Sequence, residues 1–198
     1  MIEVRKLSRR YGDVLALDDV SFHVAEGEVA GFLGPNGAGK STCMKILTGS
    51  LAPHRGEIRL GGLDALADPL AARRLVGFMP ENVPLYREGS VRRLLGFVAD
   101  LKGVPRSGLA DHLAAIMDRC GLTAMADRPV GHLSKGYRQR AGLAQALVGD
   151  PPILVLDEPS SGLDPHQIVG IRELIRSFQG EKTVLLSSHI LAEVGQVL

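Results

Sequence analysis

The chain contains no tryptophan, and only 4% of its 198 residues are aromatic. That leaves little material for a base-stacking surface. Neither sign of charge dominates. Lys and Arg total 23 against 22 Asp and Glu, a formal net charge of +1. So even a balance removes the electrostatic case for nucleic-acid binding. Two cysteines, Cys43 and Cys120, are too few and too far apart for a disulfide framework or a zinc site. They read as small buried hydrophobes in a reducing compartment. No apolar run approaches the ~18 residues of a membrane span. The N-terminal MIEVRKLSRR lacks the apolar stretch of a signal peptide. Any membrane role must therefore come through a partner. Internal repeats and low-complexity tracts are also missing.

What is present is globular material: 45% hydrophobic and 23% charged residues. Short apolar runs alternate with helical stretches. EVAGFL (28–33), LVGFM (75–79), ILVLD (153–157) and TVLLSS (183–188) are apolar on both faces. Such runs suit a parallel sheet covered by helices. Helices are predicted between them, over 41–48 and 165–178. The fold class is therefore α/β, a mostly parallel sheet with flanking helices. Residues 1–26 depart from this rhythm as alternating strands, IEVRKL and VSFHV, joined by turns around Gly12 and Asp13. GEIRLGG (56–62) reads as another antiparallel piece. Residues 82–149 hold no convincing strand. Helical periodicity runs through Leu94, Leu95, Val98 and Leu101, then Leu109, Leu113, Ile116 and Met117. The expected organisation is one domain over 1–198. Residues 1–26 and 54–64 form an antiparallel β part, 27–80 and 150–198 the core, and 82–149 an inserted helical subdomain. The final HILAEVGQVL has helical spacing without a stop signal. The chain reads there as part of a longer protein with its C-terminus cut.

The first motif with chemistry is Gly34-Pro35-Asn36-Gly37-Ala38-Gly39-Lys40-Ser41-Thr42. It matches G-x-x-x-x-G-K-[ST] between a predicted strand and a predicted helix, the P-loop context. Glycines let backbone N–H groups turn inward and approach phosphate oxygens closely. The following helix adds its positive end. Lys40 would bridge β- and γ-phosphates, and Ser41 would ligate Mg²⁺. The second motif is Asp157-Glu158, ending ILVLD. A carboxylate at the C-terminal end of a parallel strand beside a phosphate loop is placed to hold Mg²⁺ through water. Glu158 is then the candidate general base. A third feature is Leu133-Ser134-Lys135-Gly136-Tyr137. Ser134 is a good N-cap for the Ala- and Leu-rich stretch after it. Its hydroxyl, the Gly136 N–H and the helix end form an anion site. From spacing alone, an ordinary capped surface helix is the favoured reading of this segment.

Taken in order, these motifs resemble those of ATP-binding cassette (ABC) ATPases, and the resemblance covers essentially the whole chain. Ser134 to Tyr137 resembles the family signature, Ser161-Gly162-Leu163-Asp164 its D-loop, and Ser188-His189 its switch histidine. FMPENVPLY and LSKGYRQR are most similar to ATPase subunits of bacterial exporters of the gliding-motility-associated type. The resemblance implies a P-loop NTPase core binding ATP and Mg²⁺. It implies a homodimer arranged head to tail, with Ser134 and Gly136 meeting the γ-phosphate held by the other chain. An integral membrane permease would be the partner, so the chain would sit in the cytoplasm against the inner face of the membrane. Tyr11 takes the place of the family's adenine-stacking aromatic. His189 takes that of the residue positioning the γ-phosphate.

Two departures stand out. The usual Gly-Gly-Gln of the signature is Lys135-Gly136-Tyr137 here. Lys135 puts a positive charge near the phosphate or near solvent, and Tyr137 lies against the ribose or the dimer seam. Glu81 replaces the usual glutamine, a position implied to contact Mg²⁺ and the attacking water. Glu can ligate Mg²⁺ as an anion but cannot donate as an amide does. Val83, Pro84, Leu85 and Tyr86 are the residues expected to line the groove for a helix of the permease. The function implied is ATP hydrolysis powering an exporter. Its rivals are a soluble non-transport ABC ATPase and a non-hydrolysing ATP-binding regulatory module.

Overall fold

The computed structural model describes residues 1–188. Its N-terminal sheet begins with β1 (Ile2–Tyr11) and β2 (Val14–Val24), paired antiparallel around the Gly12-Asp13 turn. β1 also pairs antiparallel with β4 (Arg55–Leu60), which pairs with the short β5 (Leu63–Asp64). The sheet order is β2-β1-β4-β5. β1 and β2 run several residues past their most apolar segments. Hairpin pairing extends them into RRY and VLALDD, where pattern alone gives no strand.

The second sheet is parallel. It comprises β3 (Val29–Leu33), β6 (Val76–Met79), β7 (Ile153–Leu156) and β8 (Thr183–Ser188), in the order β3-β8-β7-β6. Its apolar runs are covered on both faces, as their composition demands. Ile153, Val155 and Leu185 pack with the N-terminal sheet and α1 (Lys40–Leu47), around Cys43, Met44 and Leu47. Leu154, Leu156, Val184 and Leu186 face the opposite core. That core is shared by α3 (Val91–Lys102), α4 (Leu109–Arg119), α5 (Lys135–Leu147) and α6 (Pro165–Arg176). Both cysteines are free and buried, one in each core.

Local chemistry sets the helix starts. Ser90, Ser134 and Asp164 cap α3, α5 and α6 by accepting from the N–H three residues on. A further helix, α2 (Pro69–Arg74), is capped by Asp68 with Pro69 in its first turn. It was not expected, because six residues are too few to show periodicity. Helix α5 lies close over the parallel sheet. A Cβ at Gly77 of β6 would collide with the Ala146 carbonyl of α5, so the strand needs glycine there. Among the described residues, no helix is long and apolar enough to cross a membrane.

Candidate functional site

The three edges of chain that matter meet at the C-terminal end of the parallel sheet. β3 leads into the loop 34–39 and then α1. β7 leads into Asp157 and Glu158. β8 lies between β3 and β7, with Leu33 paired to Ser188 and Leu156 to Leu186. This is the crevice at which open parallel sheets bind ligands.

Gly39 is the N-cap of α1, with φ +88 and no side chain to cap the helix. A Cβ at Gly39 would also strike the Ala16 carbonyl. The first N–H groups of α1 are therefore left to a ligand, in the manner that favours anions. Lys40 is only 6% exposed. Its ammonium donates to the carbonyls of Gly34 (2.6 Å) and Pro35 (3.1 Å), which folds the loop around it. It also lies 3.7 Å from Glu158 Oε1.

A cleft of about 570 Å³ opens beside this lysine. It brings together Tyr11, Asn36, Gly37, Gly39, Lys40, Ser41, Thr42, Glu81 and Glu158, and it also includes Ser161. Gly34, Pro35 and Ala38 shape the loop without lining the cleft; Ala38 N–H closes it by donating to Pro35 O at 3.2 Å. Tyr11 is half-exposed, with the Arg9 guanidinium 5.3 Å from its ring centroid. Asp157 is 3% exposed and sits behind the cleft at the strand end. Glu158 adopts φ +49, a left-handed conformation unusual for a residue with a Cβ.

Ser187 is a residue that the motif reading missed. It is fully buried on β8. Its Oγ donates to Asp157 Oδ1 at 2.6 Å and accepts from the Glu158 N–H at 2.9 Å. The available signal was a pair of serines ending an otherwise apolar strand. Their partner strand is not visible from spacing.

The signature residues stand apart. Ser134 and Gly136 are not among the residues lining the cleft. Ser134 caps α5 through the Tyr137 N–H at 3.4 Å. Gly136 is covered by the Gln167 side chain of α6. The ammonium of Lys135 lies against Gly162 in its own chain, leaving no room there for a Cβ. The D-loop's Asp164 accepts from Gln167 N–H at 2.9 Å and so starts α6. His189 lies outside the described residues.

The donor set suits Mg²⁺. Ser41 and Glu81 face the cleft, and Asp157 has one carboxylate oxygen held by Ser187. All are hard oxygen donors. Among the described residues there is no group of three His, Cys, Asp or Glu able to hold a metal ion. Mg²⁺ is normally held by one or two carboxylates together with substrate phosphates, not by an all-protein cage. A larger cavity of about 790 Å³ lies between α2 and the α3–α4 connection. Two of its polar side chains close the end of α5: Lys102 donates to Val148 O at 2.7 Å, and His112 Nε2 accepts from Gly149 N–H at 3.2 Å.

Comparison with known proteins agrees with this geometry. The ABC transporter family profile matches residues 17–161. The lantibiotic transport ATP-binding protein SrtF of Streptococcus pyogenes is 38% identical over 195 residues, covering 98% of this chain and 82% of that protein. The Nod factor export ATP-binding protein I of Sinorhizobium fredii is 38% identical over 197 residues, covering 99% of this chain but 57% of that longer protein. Among solved structures, an ATP-binding subunit of an ABC transporter superposes with a TM-score of 0.84 at 33% identity, over 96% of this chain and 80% of that one. A bacterial ABC transporter cassette solved as a dimer gives 0.88 at 25% identity, over 99% and 91%. The chain belongs to the ABC transporter family, among its ATP-binding proteins.

Proposed function

We propose that this chain hydrolyses ATP and, as a head-to-tail homodimer, drives an integral membrane permease that exports its substrate. The observation that carries hydrolysis is the buried Lys40 ammonium, 3.7 Å from Glu158 Oε1 on the phosphate-loop cleft. The backbone of 34–42 and Lys40 would hold the β- and γ-phosphates. Ser41, Asp157 and Glu81 would hold Mg²⁺, which supplies charge neutralisation on the phosphates. Glu158 would take a proton from water as its oxygen bonds to the γ-phosphorus. The bond to the β,γ-bridging oxygen breaks, and ADP leaves with the electron pair. His189 would orient the γ-phosphate. Ser134 and Gly136 would serve the nucleotide bound by the partner. Tyr11 would stack on the adenine. Phosphoryl transfer needs positioning and charge stabilisation more than covalent help, and this residue set offers both.

Export is favoured by relatives named for lantibiotic transport and Nod factor export. The permease contact is proposed at Tyr86 and Phe97. Both are exposed, with ring centroids 5.4 Å apart and planes at 87°. Val83 instead covers Gly142 of α5, and Leu85 packs against the helical core. The groove therefore shifts from 83–86 toward Tyr86 and α3. The cytoplasmic face of the membrane is the place such a contact requires.

Hydrolysis is tested by steady-state ATPase assay. Glu158→Gln is expected to lower kcat by about 10²-fold or more with nucleotide affinity retained. Equal turnover by Glu158→Gln and the wild type would remove Glu158 as the base. The rival regulatory module predicts no turnover by either protein.

A further inference from the structure

The end of β8 contains a hydroxyl whose two bonds reach both acidic residues of the site. β8 is the strand between β3 and β7. Val184 and Leu186 face one core and Leu185 the other, so the strand is apolar on both sides up to Ser187. Ser187 has no exposed surface. A buried hydroxyl at this depth is tolerated only when its donor and acceptor capacity is used. Both are used. The hydroxyl has one proton, and the Glu158 N–H needs an acceptor. The direction of the two bonds follows: N–H of Glu158 to Ser187 Oγ (2.9 Å), then Ser187 O–H to Asp157 Oδ1 (2.6 Å).

Each bond has a consequence for the site. The first holds the Glu158 backbone at φ +49, a conformation disfavoured for a residue with a Cβ. That conformation accompanies the approach of Glu158 Oε1 to Lys40 Nζ. The second ties one oxygen of Asp157 to β8, which restricts the rotation of the carboxylate at the strand end. A single side chain on the neighbouring strand thus couples the Mg²⁺-side carboxylate to the backbone of the proposed base.

We propose that Ser187 is a positioning residue for the Asp157–Glu158 pair: its hydroxyl holds Glu158 in the left-handed turn and Asp157 in a fixed orientation for Mg²⁺. This rests on the hydrolytic function proposed above for the same site. Ser187 is buried and does not line the cleft, so it acts through the other two.

The test compares wild type, Ser187→Ala and Ser187→Thr in two assays. One is steady-state ATP hydrolysis. The other is fluorescent ATP-analogue binding with magnesium and with chelator. Ser187→Ala is expected to lower kcat about 10- to 100-fold while KM changes less than about threefold, the pattern of lost transition-state positioning. Its affinity without magnesium should match the wild type, and the gain on adding magnesium should shrink. Ser187→Thr keeps the hydroxyl and should retain at least about a third of the wild-type kcat. Should the alanine protein fail to fold by circular dichroism, Ser187→Cys carries the same expectation, with similar volume and only a weak donor. Turnover by the alanine protein within about twofold of wild type would overturn the proposal. So would equal losses in the alanine and threonine proteins, which mark a packing effect. If the wild type does not hydrolyse ATP, the hydrolytic reading fails by itself. The magnesium arm then still decides Ser187: an unchanged magnesium gain in Ser187→Ala overturns it, and a reduced gain supports it.

Discussion

Tyr11 shows how a single side chain of the site is expected to act. The ring is half-exposed on the cleft, and Arg9 lies over it at 5.3 Å. Arg9 is itself tied to the Ala52 carbonyl at 2.8 Å, so one face of the ring is backed by a held guanidinium. Stacking of a base on an aromatic is worth about 1–3 kcal/mol, toward the lower end on an exposed ring. Tyr11→Ala is therefore expected to weaken ATP binding about fivefold and leave kcat nearly unchanged. Titration with a fluorescent nucleotide measures the first and initial rates the second. Unchanged affinity would remove Tyr11 from the binding surface. Lys40 and Ser41 were expected together because they stand in one short continuous motif, and Tyr11 by resemblance; all three line the cleft. Ser187 was not, since its meaning depends on which strand lies beside β7. Nor was the position of Lys135 against Gly162, since two segments far apart in sequence meet there.

Helix α5 and strand β6 show the next scale. The buried face of α5 carries Gly136, Ala141, Gly142, Ala144 and Ala146. Small side chains let the helix approach its neighbours, with Val83 over Gly142 and Gln167 over Gly136. β6 answers with Gly77, where a Cβ would also come within 2.9 Å of Leu154 and Pro151 side-chain atoms. Gly77→Ala should push the helix off the sheet. The expected loss is about 2 kcal/mol, typical of overpacking in a close-packed contact. Urea unfolding measures it, and a change below about 0.5 kcal/mol would contradict this view of the contact. The four parallel strands were legible to within a residue or two, because burial on both faces writes itself as continuous apolar runs. α1 starts at Lys40, one residue before the expected start. α2 escaped notice because six residues carry no readable period, and the two-residue β5 was not separated within the antiparallel stretch 54–64.

At the scale of the molecule, one ion pair ties α4 to the turn between α6 and β8. Arg119 donates to both Glu181 oxygens at 2.7 Å and to the Ser177 carbonyl at 3.1 Å. Its guanidinium also lies 4.3 Å from the Phe178 ring centroid. The hydrogen bonds from Arg119 hold the Glu181 carboxyl below the ordinary glutamate value of 4.5. A lowered carboxylate pKa means the unfolded chain binds the proton first. The pair's contribution is therefore complete above about 4.5 and disappears as pH falls through the lowered native value. The pair is partly exposed, so solvent screening limits it to about 0.5–1 kcal/mol. Glu181→Gln should melt about 1–4 °C below wild type near neutral pH, and the gap should close in acid. A gap that persisted in acid would show that charge pairing is not its source. Sequence pattern gave no sign of this tie, because neither residue belongs to a motif.

The central claim is that two chains close around ATP and that Glu158 then completes hydrolysis. The most direct measurement is the solution mass of Glu158→Gln protein, by light scattering after gel filtration, with and without Mg-ATP. The account predicts the 21.1 kDa chain without nucleotide and twice that mass with Mg-ATP. A protein that binds ATP yet stays at the single-chain mass would contradict closure of this cassette as a homodimer.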